Sequence, residues 1–107
     1  MPDWKILFDD EMERARAARD RKNEGQARVC ARRAAGIILR EYFSRQGITS
    51  RSPSAYDMLN LFLQLPDSPS RARQAAENLV LRVTEEFKLP VDVDLLEEAQ
   101  ALLPLLE

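Results

Sequence analysis

The sequence predicts an all-α fold: an antiparallel up-and-down bundle of four main helices with a short C-terminal helix. Three observations lead there. Ala, Leu, Arg and Glu are abundant while only three of 107 residues are glycine, and these side chains keep their rotamer freedom on a helix surface. Apolar residues recur at three- and four-residue steps, with no strand-type alternation of any length. Ser-Pro, Gly and Asn signals fall between the periodic segments, where helices stop and restart. The length suits one domain spanning residues 1–107 with a core of useful size.

The first helix is expected from Asp3 to about Lys22, with Trp4, Phe8, Met12, Ala15 and Ala18 on one face. Its acids (Asp9, Asp10, Glu11, Glu13) precede its bases (Arg14, Arg16, Arg19, Arg21, Lys22), an order that suits the helix dipole. Asn23 then caps a second helix, with Gln26 placed to complete a capping box, and Gly47 closes it in a left-handed cap. The apolar stripe of this second helix, Ala27, Cys30, Ala31, Ala34, Ile38 and Tyr42, is widened by Ala35, Ile37 and Leu39. Its small side chains, with Gly36 among them, let another helix come close and mark it as the central helix. Cys30 reads as a small buried hydrophobe.

A loop over Ile48–Ser54 leads to a third helix, Pro53 to Leu65, with Ser52 and Pro53 as its start signal. Tyr56, Met58, Leu59, Phe62 and Leu63 make it apolar over most of its circumference, as expected of a deeply packed helix or one shared with a partner chain. Ser68 is placed to cap a fourth helix from Pro69 to about Lys88, with Ala72, Ala76, Leu79, Val83 and Phe87 inward. Leu89-Pro90-Val91 is extended or turn. Asp94, with Glu97, caps a last helix carrying Leu95, Leu96, Ala99, Leu102 and Leu103, which Pro104 ends or kinks.

The side-chain inventory restricts chemistry sharply. The chain has no histidine and one cysteine, so there is no imidazole acid–base, no Cys–His nucleophile and no zinc ligand set. Three isolated glycines make no phosphate loop. The carboxylate pairs Asp9/Asp10, Glu85/Glu86 and Glu97/Glu98 are sequence neighbours, which point about 100° apart on a helix and so do not converge. No metal or cofactor is expected. No apolar run reaches the roughly 18 residues of a membrane span, and the acidic start MPDWKILFDDEMER lacks the basic flank of a signal peptide, so a cytoplasmic location is expected.

Net charge is −2 overall. It is unevenly shared: residues 1–47 hold 11 Lys+Arg against 8 Asp+Glu, and residues 48–107 hold 5 against 10. Arg14, Arg21, Arg28 and Arg32 form the Arg-rich stretch that could contact nucleic acid. Arg33, Tyr42, Arg73, Glu77 and Asn78 sit near apolar stripes and are the candidate ligand or interface residues, with Arg73 and Glu77 one turn apart.

The segment EGQARVCARRAAGIILREYFSRQGI (Glu24–Ile48) resembles the second core helix of the HEPN domain family (higher eukaryote and prokaryote nucleotide-binding). The stretch from Ser52 to Leu103 resembles its later helices. Many members of that family resemble metal-independent ribonucleases with an Arg followed a few residues later by a His. The corresponding RARQAAEN presents Arg71 and Arg73, with Asn78 where the His would stand. An amide does not shuttle protons at neutral pH, so the resemblance implies a variant without that ribonuclease motif. It further implies a homodimeric helical module that binds a nucleotidyltransferase-type partner, as in toxin–antitoxin pairs, or a nucleotide ligand. Two alternatives remain open here: a ribonuclease with a non-standard site on Arg73, Glu77 and Tyr42, and a helical adaptor contacting nucleic acid through its Arg-rich first and second helices.

Overall fold

The computed structural model describes residues 3–49, 52, 54–81 and 92–107. Among them the regular structure is helical: α1 (Asp3–Asp20), α2 (Glu24–Arg45), α3 (Ala55–Gln64), α4 (Ser70–Leu79), α5 (Leu95–Gln100) and a 3-10 turn (Leu103–Leu105). α2 is the hub, touching α1, α3, α5 and the 3-10 turn, while α4 bridges α3 and α5. The central role expected of the small-residue helix is therefore observed. Ala27, Ala31, Ala34 and Ala35 are fully enclosed, beside Ile38 and Leu39, so neighbouring helices can approach α2 on several sides at once. Phe8 and Met12 from α1, Met58, Leu59 and Phe62 from α3, and Leu79, Leu95 and Leu102 complete the core. Tyr42 meets Phe62 edge-on at 5.8 Å, a geometry favoured by the ring quadrupoles.

Helix boundaries follow local chemistry where a cap is present. Asn23 Oδ1 accepts from the Gln26 N–H at 3.1 Å, but Gln26 does not reach back. Its amide donates to Cys30 Sγ at 3.6 Å, so only half of the capping box forms. At the far end of α2, Gly47 has φ +71° and the Ile48 N–H returns to the Phe43 carbonyl at 2.8 Å. That six-to-one bond needs a left-handed residue, which glycine supplies without strain.

Two boundaries differ from expectation. The cap of α3 is Ser54, whose hydroxyl accepts from the Asp57 N–H at 3.4 Å, while Ser52 donates to the Asp57 carboxylate at 2.5 Å. Two serines thus divide the work assigned to Ser52 alone. α4 starts on Pro69 without a side-chain cap and stops at Leu79, nine residues before Lys88; Ser68 turns back to the Leu65 carbonyl at 3.5 Å instead. The physical reason for the early stop is Arg32. Its Nε donates to the Leu79 carbonyl at 2.8 Å and its Nη2 to the Leu81 carbonyl at 2.6 Å, so a buried guanidinium takes up carbonyls at the helix end. The expectations for Pro53, Val83, Glu85, Glu86, Phe87, Lys88 and Leu89–Val91 lie outside the described residues.

The surplus apolar surface expected of α3 is internal. Met58, Leu59 and Phe62 are buried, and Tyr56, Leu61 and Leu63 are half-buried against neighbouring elements. Among the described residues the exposed large hydrophobics are instead Ile6 (52%) and Leu7 (53%) on α1 and Val29 on α2. No helix among the described residues is long and apolar enough to cross a membrane.

Candidate functional site

A groove of about 430 Å³ opens between α1, α2 and the start of α3, within the range of small-molecule sites. Its position follows from one residue. A Cβ at Gly36 would lie 3.3 Å from the Ala55 Cβ and 3.4 Å from its Cα, so glycine there lets the first turn of α3 come against α2. The close approach anticipated at Gly36 is thus made by α3. Arg33 and Arg40 sit one turn before and one turn after Gly36 on the same face. Arg32, Tyr56 and Ser54 line the same groove, with Val29 and Ile37 as apolar wall and Glu11 opposite on α1.

Three arginines and one carboxylate therefore line the groove. Arg32 is 8% exposed, is tied to the end of α4, and lies over the Tyr56 ring at 5.3 Å, a cation–π distance. Arg33 and Arg40 are exposed and form no ion pair with a described carboxylate. Glu11 Oε1 meets Arg14 at 3.4 Å, and its Oε2 is enclosed with no hydrogen-bond partner among the described residues. The first turn of α3 adds the positive end of its dipole.

The other predicted site residues fall elsewhere. Arg73 donates to the Leu63 carbonyl at 2.8 Å and the Leu65 carbonyl at 3.4 Å, closing the end of α3, and it meets Glu77 at 3.8 Å. Arg73 and Glu77 border a shallow depression on α4, whereas Tyr42 lines a different pocket of about 280 Å³ with Arg71, Pro69 and Pro104. The structure thus does not bring Arg73, Glu77 and Tyr42 to one place. Asn78 donates to Glu98 Oε1 at 2.9 Å, and Arg71 Nη2 stands 2.6 Å from Glu98 Oε2, a contact not aligned as a hydrogen bond. Glu98 is buried, so these two α4 residues hold α5 by neutralising and hydrogen-bonding its carboxylate. The position that would carry a histidine in the resembled family is occupied with that task.

The four arginines considered for nucleic acid do not share one free surface. Arg14 pairs with Asp10 at 3.0 Å and with Glu11, Arg21 is exposed at the α1–α2 turn, Arg28 is half-buried, and Arg32 is withdrawn into the groove. A cluster not foreseen lies at that turn. Arg19 Nε donates to both Glu24 oxygens at 3.1 Å, while Nη1 and Nη2 reach Asp94 at 3.0 Å each. Asp94 Oδ1 also accepts from the Leu96 N–H at 3.0 Å, capping α5 as expected, so one guanidinium joins α1, α2 and α5. The hydrogen bonds from Arg19 hold the Glu24 and Asp94 carboxyls below their ordinary range, and the two carboxylates raise the Arg19 guanidinium.

No group of three or more His, Cys, Asp or Glu residues is arranged to hold a metal ion among the described residues. No protein-family model matches the chain, and neither the curated proteins nor the solved structures contain a significant match to it.

Proposed function

We propose that the chain is a non-catalytic, HEPN-like helical module, an antiparallel bundle of four main helices with a short terminal one, that binds a nucleotide ligand in the α1/α2/α3 groove. The observation that carries this reading is the groove itself: two exposed guanidiniums, an aromatic ring, an apolar wall and a helix start converge, and no acid–base pair accompanies them. Such a site can recognise an anion with a planar or apolar appendage; it holds no imidazole, and Glu11 is the one carboxylate among its lining residues. The roles of Arg73 and Asn78 support the same reading, because each is spent on holding helices together.

Ile6 and Leu7 favour a second element of the proposal. Two adjacent large apolar side chains, each about half exposed, give α1 a surface on which a second copy can sit. The module then homodimerises through α1, and the nucleotidyltransferase-type partner implied by the family resemblance, with or without a toxin–antitoxin role, is met by the assembled dimer.

Purified protein is to be titrated with a fluorescent ATP analogue and, separately, incubated with labelled RNA. The reading predicts saturable binding and intact RNA. RNA cleavage that survives repurification, or no nucleotide binding at any accessible concentration, overturns it.

A further inference from the structure

Resting on the reading of α1 as the surface where a second copy sits, we infer that the two copies pair antiparallel, about a two-fold axis at the level of Met12, in a register set by charge. The row Asp3, Leu7, Asp10, Arg14, Ala17 and Arg21 advances along α1 by four and three residues in alternation, the spacing that keeps one seam facing a partner helix. All six residues are exposed. Arg21 lies just past the end of α1, and its N–H still donates to the Ala17 carbonyl at 3.2 Å, so it keeps its place in the row. The row is thus a helix seam left open by the described part of the chain.

Its order is self-complementary. At equal distances on either side of Met12 stand Asp3 and Arg21, Leu7 and Ala17, and Asp10 and Arg14. An antiparallel copy therefore sets Asp3 against the partner's Arg21, Asp10 against the partner's Arg14, and Leu7 against the partner's Ala17, whose methyl leaves room for a leucine between close backbones. A parallel copy would oppose acid to acid and base to base at every charged layer, which costs affinity. Asp3 and Arg21 have no ion-pair partner among the described residues. Arg14 already meets Asp10 on its own helix at 3.0 Å, so pairing joins two such couples into one four-charge network at the axis. Ile6, also exposed, flanks the leucine layer and adds apolar contact. Glu13 meets the partner's Glu13 beside the axis, a like-charge contact that limits affinity. One helix pair is a small interface, so the dimer belongs in the micromolar range.

Sedimentation velocity on the full chain across a concentration series tests the register. Asp10→Lys or Arg14→Glu alone should weaken dimerisation at least about ten-fold, and the two together should return it to within about three-fold of the parent. Asp9→Lys, one position back and about 100° round the helix, should leave it as it was. Rising salt should weaken the parent dimer. These positions are exposed, so the far-ultraviolet circular dichroism of every variant should match the parent. Orientation is read from spin labels on Asp3→Cys, with the buried Cys30 unlabelled. Antiparallel copies hold the labels roughly 27 Å apart along the axis, the helical rise from residue 3 to residue 21, whereas parallel copies bring them to about 10 Å. Labels close together, equal losses in Asp9→Lys and Asp10→Lys, or a double exchange that restores nothing would each overturn the register, while a second copy on Ile6 and Leu7 still stands. A parent that stays monomeric at high micromolar concentration overturns both.

Discussion

Replacing Arg32 with methionine keeps an unbranched stem of similar reach and removes the guanidinium that ends α4. Two donated bonds disappear, at 2.8 Å to the Leu79 carbonyl and 2.6 Å to the Leu81 carbonyl, together with the stack on Tyr56. Hydrogen bonds to charged groups contribute about 1.5–3 kcal/mol each, and buried acceptors left without donors add their own penalty. Relief from burying a charge offsets part of this, which leaves a net loss of roughly 2–4 kcal/mol. For a domain of this size each kcal/mol lowers the melting temperature by about 4–8 °C, so the melt should move by roughly 8–30 °C. Urea denaturation followed by far-ultraviolet circular dichroism measures the loss, and amide exchange should accelerate along α4 before it does in α2. Arg32→Lys should recover less than half, because an ammonium lacks the fork that reaches two carbonyls. An Arg32→Met protein within about 0.5 kcal/mol of the parent, the scatter of ordinary surface substitutions, would refute the idea that this side chain anchors the end of α4.

Three further outcomes are expected. Gly47→Ala forces a Cβ into a backbone at φ +71° and should destabilise the chain by about 1 kcal/mol in the same urea assay, in the range of the left-handed penalty. Asp94→Asn should keep the cap of α5 and lose the charge facing Arg19. The folded-state pKa values of Asp94 and Glu24 are depressed, so the unfolded chain binds more protons in acid. Their stabilisation is then present above the unfolded carboxyl range and lost as pH falls toward the folded values. The cluster is a third or more exposed, which limits it to about 0.5–1 kcal/mol; stability measured from pH 7 down to 3 should fall less steeply in the variant. Leu7→Glu should give a monomer by light scattering at micromolar concentration where the parent is a dimer; a parent that is itself monomeric removes the α1 interface from the account.

The parts of the fold that were legible in the sequence are those decided within a few residues. Asn23 and Asp94 cap their helices through N–H groups two or three positions on, and Gly47 closes α2 through a bond five positions back. The small-residue stripe announced the hub because helices can only crowd around a backbone that carries little. The end of α4 was not legible, since the group that ends it comes from 47 positions earlier. The start of α3 was misplaced because Ser52 and Ser54 are both competent caps, and only the folded chain assigns one to each task. At the site, Gly36 was recognised as a point of close approach and Arg33 as a candidate. Arg40 is legible only through its seven-residue spacing from Arg33 across a glycine. Arg73 and Asn78 were attractive as isolated polar residues near apolar stripes, and their partners, the α3 carbonyls and Glu98, lie on other elements.

The central claim is that the α1/α2/α3 groove is where this chain binds a nucleotide, and amide chemical-shift mapping on the 107-residue chain tests it most directly. Titration with ATP is predicted to move the amides of Arg33, Gly36, Arg40, Ala55 and Tyr56 together along one binding curve, with those of α5 and the 3-10 turn still. Shifts centred instead on Tyr42, Arg71 and Leu105, or no shifts at saturating ATP, would contradict it.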